Sequence, residues 1–106
     1  MHYNNNNFKL NSTPHFEKWL TSLNQETFRA ISKLLMVLQN LGHEVRMPQS
    51  RPLGNRLFEL REMHFGLRVY YAFQKQGHIV LLKGGNKSSQ DRDIKIAYQL
   101  LTDLGE

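Results

Sequence analysis

Hydrophobic positions change their period twice along this chain, and those changes mark its elements. Phe8, Lys9 and Leu10 alternate, as a short strand does. From Phe16 the spacing becomes helical: Phe16, Trp19, Leu20 and Leu23 form one stripe behind Thr13-Pro14. That pair is a helix start, because the hydroxyl caps free amides and proline loses no hydrogen bond in the first turn. A second start at Asn24, with Glu26 near the positive helix end, precedes Phe28, Ile31, Leu34, Leu35, Leu38 and Leu41. Gly42 ends this helix as a left-handed cap. The two helices make a hairpin whose apolar faces need a cover.

His43 to Asn55 holds Pro48, Pro52 and Gly54 among scattered charges and reads as an irregular crossing loop. The period then falls to two in Leu57 to Glu62 and in Leu67 to Phe73, and His78 to Lys83 is a third β-rich run. Short connections at His64-Phe65-Gly66 and Gln76-Gly77 make these runs an antiparallel meander. With Gln76-Gly77 as a two-residue turn, Lys75 faces His78, Tyr70 faces Lys83, and Arg68 lies beside Gly84-Gly85. Across the other turn Glu62 faces Leu67 and Arg61 faces Arg68. Val69, Tyr71, Phe73, Val80 and Leu82 then point to the helical hairpin. Arg68, Tyr70, Ala72, Ile79, Leu81 and Lys83 share the opposite face.

The final segment opens with Ser88 and Asp91, an approximate capping box, and continues through Ile94, Ala97, Tyr98, Leu101 and Leu104 as an amphipathic helix. The predicted order is β-α-α-β-β-β-α, an α+β fold with an antiparallel sheet packed on a helical hairpin. One domain is expected over residues 1–106, with the asparagine-rich residues 1–7 as a mobile tail.

Composition changes the picture in two ways. Fourteen Lys+Arg against nine Asp+Glu give a net charge of +5, which favours an anionic partner, or else marks a small basic domain kept soluble by charge. The chain has no cysteine, so disulfides, thiolate metal sites and cysteine nucleophiles are excluded. With no charged-then-apolar leader and no run near the roughly 18 apolar residues that span a bilayer, the expectation is a soluble, cytoplasmic protein with no membrane partner.

The register carries Arg61, Arg68 and Lys83 to one end of the sheet, where the loop Gly84 to Gln90 adds Lys87 and Ser88. Facing arginines repel, so the pairing needs a reason, and a phosphate is one. The alternative is that Arg61 pairs with Glu59 or Glu62 while Lys83 and Lys87 mark solvated strand ends. His64, in the adjoining turn, suits proton transfer with an ordinary pKa of ~6.5, or is simply an exposed turn residue. Tyr70 or Tyr71 can offer one ring for base stacking. His15, His43 and His78 lack metal-ligand spacing, and no P-loop, serine elbow or dinucleotide fingerprint occurs, so neither a metal nor a cofactor is expected.

Phe16-Glu17-Lys18-Trp19-Leu20, Leu57-Phe58-Glu59-Leu60-Arg61, Arg68-Val69-Tyr70-Tyr71 and Leu81 to Ile94 together resemble the RelE/HigB/ParE superfamily of type II toxins, in particular its phage-derived addiction-module killer branch. The resemblance spans roughly Phe8 to Leu104. It implies a compact RelE-like microbial RNase fold and a ribosome-dependent mRNA endoribonuclease, an mRNA interferase that inhibits translation. It also implies a cognate antitoxin, a helix-turn-helix HigA-like protein, through which alone operator DNA is contacted. Arg61 matches the arginine of the family's Leu-Arg motif, and Arg68 the phosphate-stabilising arginine of its Arg-Val-x-Tyr motif. Lys83 and Lys87 fall where relatives carry catalytic lysine or arginine, and Ser88 and Arg92 lie in the adjoining stretch expected, with Tyr70, to bind RNA. The catalytic tyrosine that some members carry near the start of the last helix has no counterpart in Asp91 to Ile94.

Such chemistry needs a base, an acid and cations that stabilise a dianionic phosphorane. Lys83 or Lys87 is the expected base, with a lysine pKa lowered from ~10.4 by clustered cations, and His64 is the alternate. Two other readings stand beside this one: a ParE-like DNA gyrase poison of the same fold, and a catalytically silent nucleic-acid or ribosome-binding module.

Overall fold

A computed structural model describes residues 7–105. The predicted mobile tail, Asn7 excepted, lies outside the described residues. The elements are β1 (Lys9–Ser12), α1 (Pro14–Thr21), α2 (Gln25–Leu41), β2 (Ser50–Gly54), β3 (Leu57–Glu62), β4 (Leu67–Gln74), β5 (His78–Asn86) and α3 (Gln90–Asp103). The five strands form one sheet in the order β1-β5-β4-β3-β2. Neighbours are antiparallel except β1, which joins the outer side of β5 in parallel.

The helix boundaries follow from local chemistry. Thr13 Oγ1 accepts from the Phe16 amide at 3.1 Å and donates to the Leu82 carbonyl at 2.6 Å, so one hydroxyl caps α1 and ties it to β5. Asn24 Oδ1 accepts from the Thr27 amide at 2.9 Å. Gly42, at φ +52°, closes α2 where any Cβ would lie 2.0 Å from the Phe8 ring.

The first face of the sheet is covered by α1 and α2. Phe16, Ile31 and Leu38 pack there on Leu60, Leu67, Val69, Tyr71, Ile79 and Leu81. On the second face α3 lays Ala97 and Leu101 over Leu57, Tyr70, Ala72, Val80 and Leu82. Each fully buried aliphatic side chain contributes about 1.5–3 kcal/mol, so these two clusters hold the fold.

Four expectations need correction. The predicted crossing loop contains β2, an edge strand in which Ser50 pairs with Leu60 and Arg51 with Glu59. Pro52 fits there because an edge strand needs hydrogen bonds on one side only. The β4–β5 turn has three residues, Lys75 to Gly77, with Gln76 at φ 61°, so Gln74 rather than Lys75 faces His78. That one-residue slip reverses the start of β5: Ile79 and Leu81 face the hairpin, while Val80 and Leu82 face α3. A bulge between the Tyr70 and Tyr71 pairings takes up the extra residue and restores Tyr70 opposite Lys83 and Arg68 opposite Gly85. Finally, the cap before α3 is Asn86, whose Oδ1 accepts from the Ser88 and Ser89 amides, and Ser88 with Asp91 form no capping box. Leu104, counted in the apolar stripe, lies past the helix end and is exposed.

Candidate functional site

Period-two alternation brings Glu59, Arg61, Arg68 and Lys83 of the inner strands to the α3 face, and leaves Glu62 on the other. One cross-strand row reads Arg51, Glu59, Tyr70, Lys83 from β2 to β5. The next reads Arg61, Arg68, Gly85. The first turn of α3 closes over both rows. Gly85 permits this approach, since a Cβ there would lie 1.8 Å from Asp93 Oδ2.

Glu59 is the centre of the arrangement and is completely buried. Its carboxylate accepts from Arg51 Nη2 at 3.0 Å, Gln90 Nε2 at 2.7 Å and the Tyr70 hydroxyl at 3.3 Å. Arg68 Nε lies 3.3 Å from Oε2, and Arg61 Nε lies 3.9 Å from Oε1. The Arg68 approach is an ion pair without hydrogen-bond alignment, because Nε and Nη1 of Arg68 are buried with no hydrogen-bond partner. A second pair adjoins the first: Lys83 Nζ is 3.3 Å from Asp93 Oδ1 and 3.1 Å from the Gly84 carbonyl. Ser89 Oγ donates to Asp93 Oδ2 at 2.5 Å.

Burial, together with the neighbouring Glu59 charge, pushes the Tyr70 phenol well above its ordinary value. Burial also raises the Tyr71 phenol on the opposite face, against the hydrogen bond between its hydroxyl and Ser50 Oγ at 2.6 Å.

Of the residues singled out in the sequence, Arg61, Arg68 and Lys83 meet on this face. Lys87 and Ser88 are exposed in the 3-10 turn that leads into α3, where the Ser88 hydroxyl donates to Asn86 Oδ1 at 2.7 Å. Arg92 is exposed on the first turn of α3. His64 sits in the β3–β4 turn, its ring edge-on to Phe65 at 4.4 Å. The expected stacking role of Tyr70 does not hold, because both Tyr70 and Tyr71 are buried and neither presents a ring face to a base. Glu62 does not pair with Arg61 but accepts from the His64 and Phe65 amides at 3.0 and 2.7 Å, holding the turn. The cationic end of the sheet is floored by Glu59, Asp93 and Gln90.

Arg51, Gln90 and Asp93 were missed, and Glu59 was seen only as a possible partner of Arg61. Glu59 shares the period-two phase of Arg61, which marked it as a residue of the charged face. Asp93 stands four residues after Ser89, on the same side of the helix. Among the described residues no cluster of histidine, cysteine, aspartate and glutamate could hold a metal ion, and no helix is long and apolar enough to cross a membrane.

The family described as Phage derived protein Gp49-like (DUF891) matches residues 18–102. The chain belongs to that family. Its Gp49-like character agrees with the phage-derived branch that the sequence resembles. An uncharacterized protein of Haemophilus influenzae is 34% identical over 98 residues, covering 92% of this chain and 96% of that one. The fold is that of RelE toxins. The toxin–antitoxin complex RelBE2 from Mycobacterium tuberculosis matches with a TM-score of 0.62 at 15% identity, over 76% of this chain and 99% of that chain. The isolated E. coli RelE toxin matches at 0.61 and 14% identity, over 84% and 98%. A RelE–RelB complex from Pyrococcus horikoshii matches at 0.61 and 18% identity, over 76% and 96%.

Proposed function

We propose that this Gp49-like protein is the toxin of a type II toxin–antitoxin system and an endoribonuclease that cuts mRNA on the ribosome, in the cytoplasm. The observation that carries this reading is the gathering of Arg51, Arg61, Arg68 and Lys83 on one sheet face with two carboxylates, Glu59 and Asp93, between them. The face keeps a surplus of positive charge. RelE toxins share the fold, and two of the similar structures are complexes with antitoxins. An antitoxin is accordingly the proposed partner, and the resemblance of the sequence to the phage-derived branch makes a helix-turn-helix protein the proposed kind.

The chemistry is transesterification. The ribose 2′-oxygen attacks the adjacent phosphorus, its proton passes to a base, the P–O5′ bond breaks, and an acid protonates the departing 5′-oxygen. The products are a 2′,3′-cyclic phosphate and a 5′-hydroxyl. Fixed guanidinium groups stabilise the two negative charges of the phosphorane better than mobile water does, because they need no reorganisation. Arg68 and Arg61 take that role. Lys83, held between Asp93 and the Gly84 carbonyl, is a third fixed cation. Proton transfer falls to the exposed groups beside the cluster, Lys87 or His64.

The test is a reconstituted translation reaction in which mRNA 5′ ends are mapped by primer extension, with Arg68→Ala alongside. New ends within translated codons, absent on naked mRNA and lost in the variant, are expected. Intact mRNA with translation unaffected would refute the nuclease and direct the same protein to a gyrase supercoiling assay.

A further inference from the structure

Glu59 accepts good hydrogen bonds from Arg51 and Gln90 and a longer one from Tyr70. Arg68 and Arg61, the two groups offered above for the phosphorane, are near the same carboxylate but not hydrogen-bonded to it. A carboxylate ordinarily seeks a bidentate arginine, in which two parallel N–H groups are consumed. Glu59 forgoes that geometry with a guanidinium only 3.3 Å away. The reason lies in its other partners: Gln90 and Tyr70 reach Oε2, and Arg51 reaches Oε1, so each oxygen is already engaged.

We propose that Glu59 is the positioning residue of the site, fixing Arg68 and Arg61 by charge while Arg51, Gln90 and Tyr70 occupy its oxygens, so that the N–H groups that Arg61, and at its edge Arg68, keep at the surface stay available to a phosphate. This rests on the nuclease reading. Two features support it. Arg68 is buried, so its guanidinium cannot reorient freely through water, and a buried N–H without a partner is costly enough to persist only where something else holds the group. Arg51 also reaches inward from an edge strand to take one carboxylate oxygen, and leaves its own Nε buried without a partner to do so. Without Arg51 or Gln90, Glu59 would close on Arg68 and neutralise it.

Three variants of the full-length protein test the idea in the translation assay: Glu59→Gln, Arg51→Met and Gln90→Leu. Misplacing a catalytic group by an ångström can cost ~100-fold, so Glu59→Gln is expected to lose about that much cutting rate, and the other two about tenfold each. The pH profile separates positioning from proton transfer. Loss of a positioning carboxylate lowers the rate at every pH and leaves the profile's shape unchanged, whereas loss of a general base removes the acid limb. A second readout needs no activity: the Arg68 Nε–H resonance should be slow to exchange in the wild type, faster in Glu59→Gln, and shifted by a new carboxylate bond in Arg51→Met and Gln90→Leu.

If Glu59→Gln cuts within about threefold of wild type while Arg68→Ala is inactive, positioning by Glu59 is wrong and the nuclease reading survives. Loss of the acid limb in Glu59→Gln also overturns it. If the wild type itself leaves mRNA intact, the nuclease reading fails instead, and the Arg68 resonance alone decides whether Glu59 holds that side chain; full cutting by Arg68→Ala removes the group that Glu59 is said to position and overturns the proposal. Should Glu59→Gln not fold, unchanged rates in Arg51→Met and Gln90→Leu overturn the proposal.

Discussion

The two faces of the central sheet are made by the same strands yet carry different work. Under α1 and α2 the face is apolar from Ile79 and Phe73 to Leu60 and Leu67, with Tyr71 bonding Ser50 as a buried polar contact and Glu62 closing its end by accepting from the turn amides. Under α3 the apolar part ends at the row of Tyr70, where Glu59 and Lys83 stand on either side of it; the next row holds Arg61 and Arg68, and Asp93 reaches the charged end from α3. The difference follows from cover. Two helices seal one face, so a charge there would be stranded unless backbone amides satisfy it, as they do Glu62 at the turn. A single helix covers the other face, with its first turn over the charged end, where Gln90 and Asp93 supply partners. Stability should therefore reside mainly in the hairpin face and activity in the α3 face.

The largest effect expected from that division is on the hairpin side. Leu38 is completely buried in α2, and Leu38→Ala removes its packing and leaves a cavity, costing about 2–5 kcal/mol in urea unfolding. Provided the variant stays folded at the assay temperature, its cutting rate per folded molecule should match the wild type. A large loss of activity at full folding would break the division.

Gly84 and Gly85 sharpen it, because they are adjacent and point to opposite faces. A Cβ on Gly84 would lie 2.1 Å from the Trp19 ring, and one on Gly85 would lie 1.8 Å from Asp93 Oδ2. Each alanine variant should cost about 1–3 kcal/mol by overpacking. Only Gly85→Ala displaces Asp93 from Lys83, so it alone should reduce cutting beyond what its stability explains. Thermal melts set against primer-extension rates would show equal shifts in the first and unequal ones in the second.

How much of this was legible in the sequence differs between the faces for a physical reason. The hairpin face is written in hydrophobic period, and Phe16, Ile31, Leu38, Val69 and Tyr71 are placed by it. Where reading failed on that side, a single turn residue was responsible: Lys75 joins the turn, and the phase of Ile79 to Leu82 reverses. On the α3 face the register placed Arg61 against Arg68 and Tyr70 against Lys83, as observed. The carboxylates that organise those cations were not legible to the same degree. Glu59 looks like any polar residue in an alternating strand, and Asp93 like a favourable charge in a first helical turn, until the fold buries both. Arg51 was hidden further, because Pro48, Pro52 and Gly54 disguise the edge strand that carries it.

A smaller effect separates the paired tyrosines. Tyr71→Phe removes the hydroxyl that meets Ser50 and should cost about 1 kcal/mol with cutting unchanged. Tyr70→Phe removes one donor from Glu59 and should slow cutting several-fold at similar stability.

The smallest effect, absent at neutral pH, tests whether both phenols are as sealed as their faces require. Each native tyrosine holds its proton above the ordinary value near 10, Tyr70 through burial and then Glu59, Tyr71 through burial. Below pH ~10 both native and unfolded chains are protonated, and the contribution is fully present. Above it the unfolded chain releases protons that the native chain keeps, so stability falls as pH rises, by up to about 1.4 kcal/mol per pH unit for each phenol. Lysines titrate in the same range, so the comparison is between variants. Tyr70→Phe and Tyr71→Phe should each flatten the alkaline limb of a urea-stability profile by about the same slope, although one lies beneath a charged face and the other beneath an apolar one. A flattened limb in Tyr71→Phe alone would mean that water reaches Tyr70, and with it the carboxylate that the α3 face depends on keeping dry.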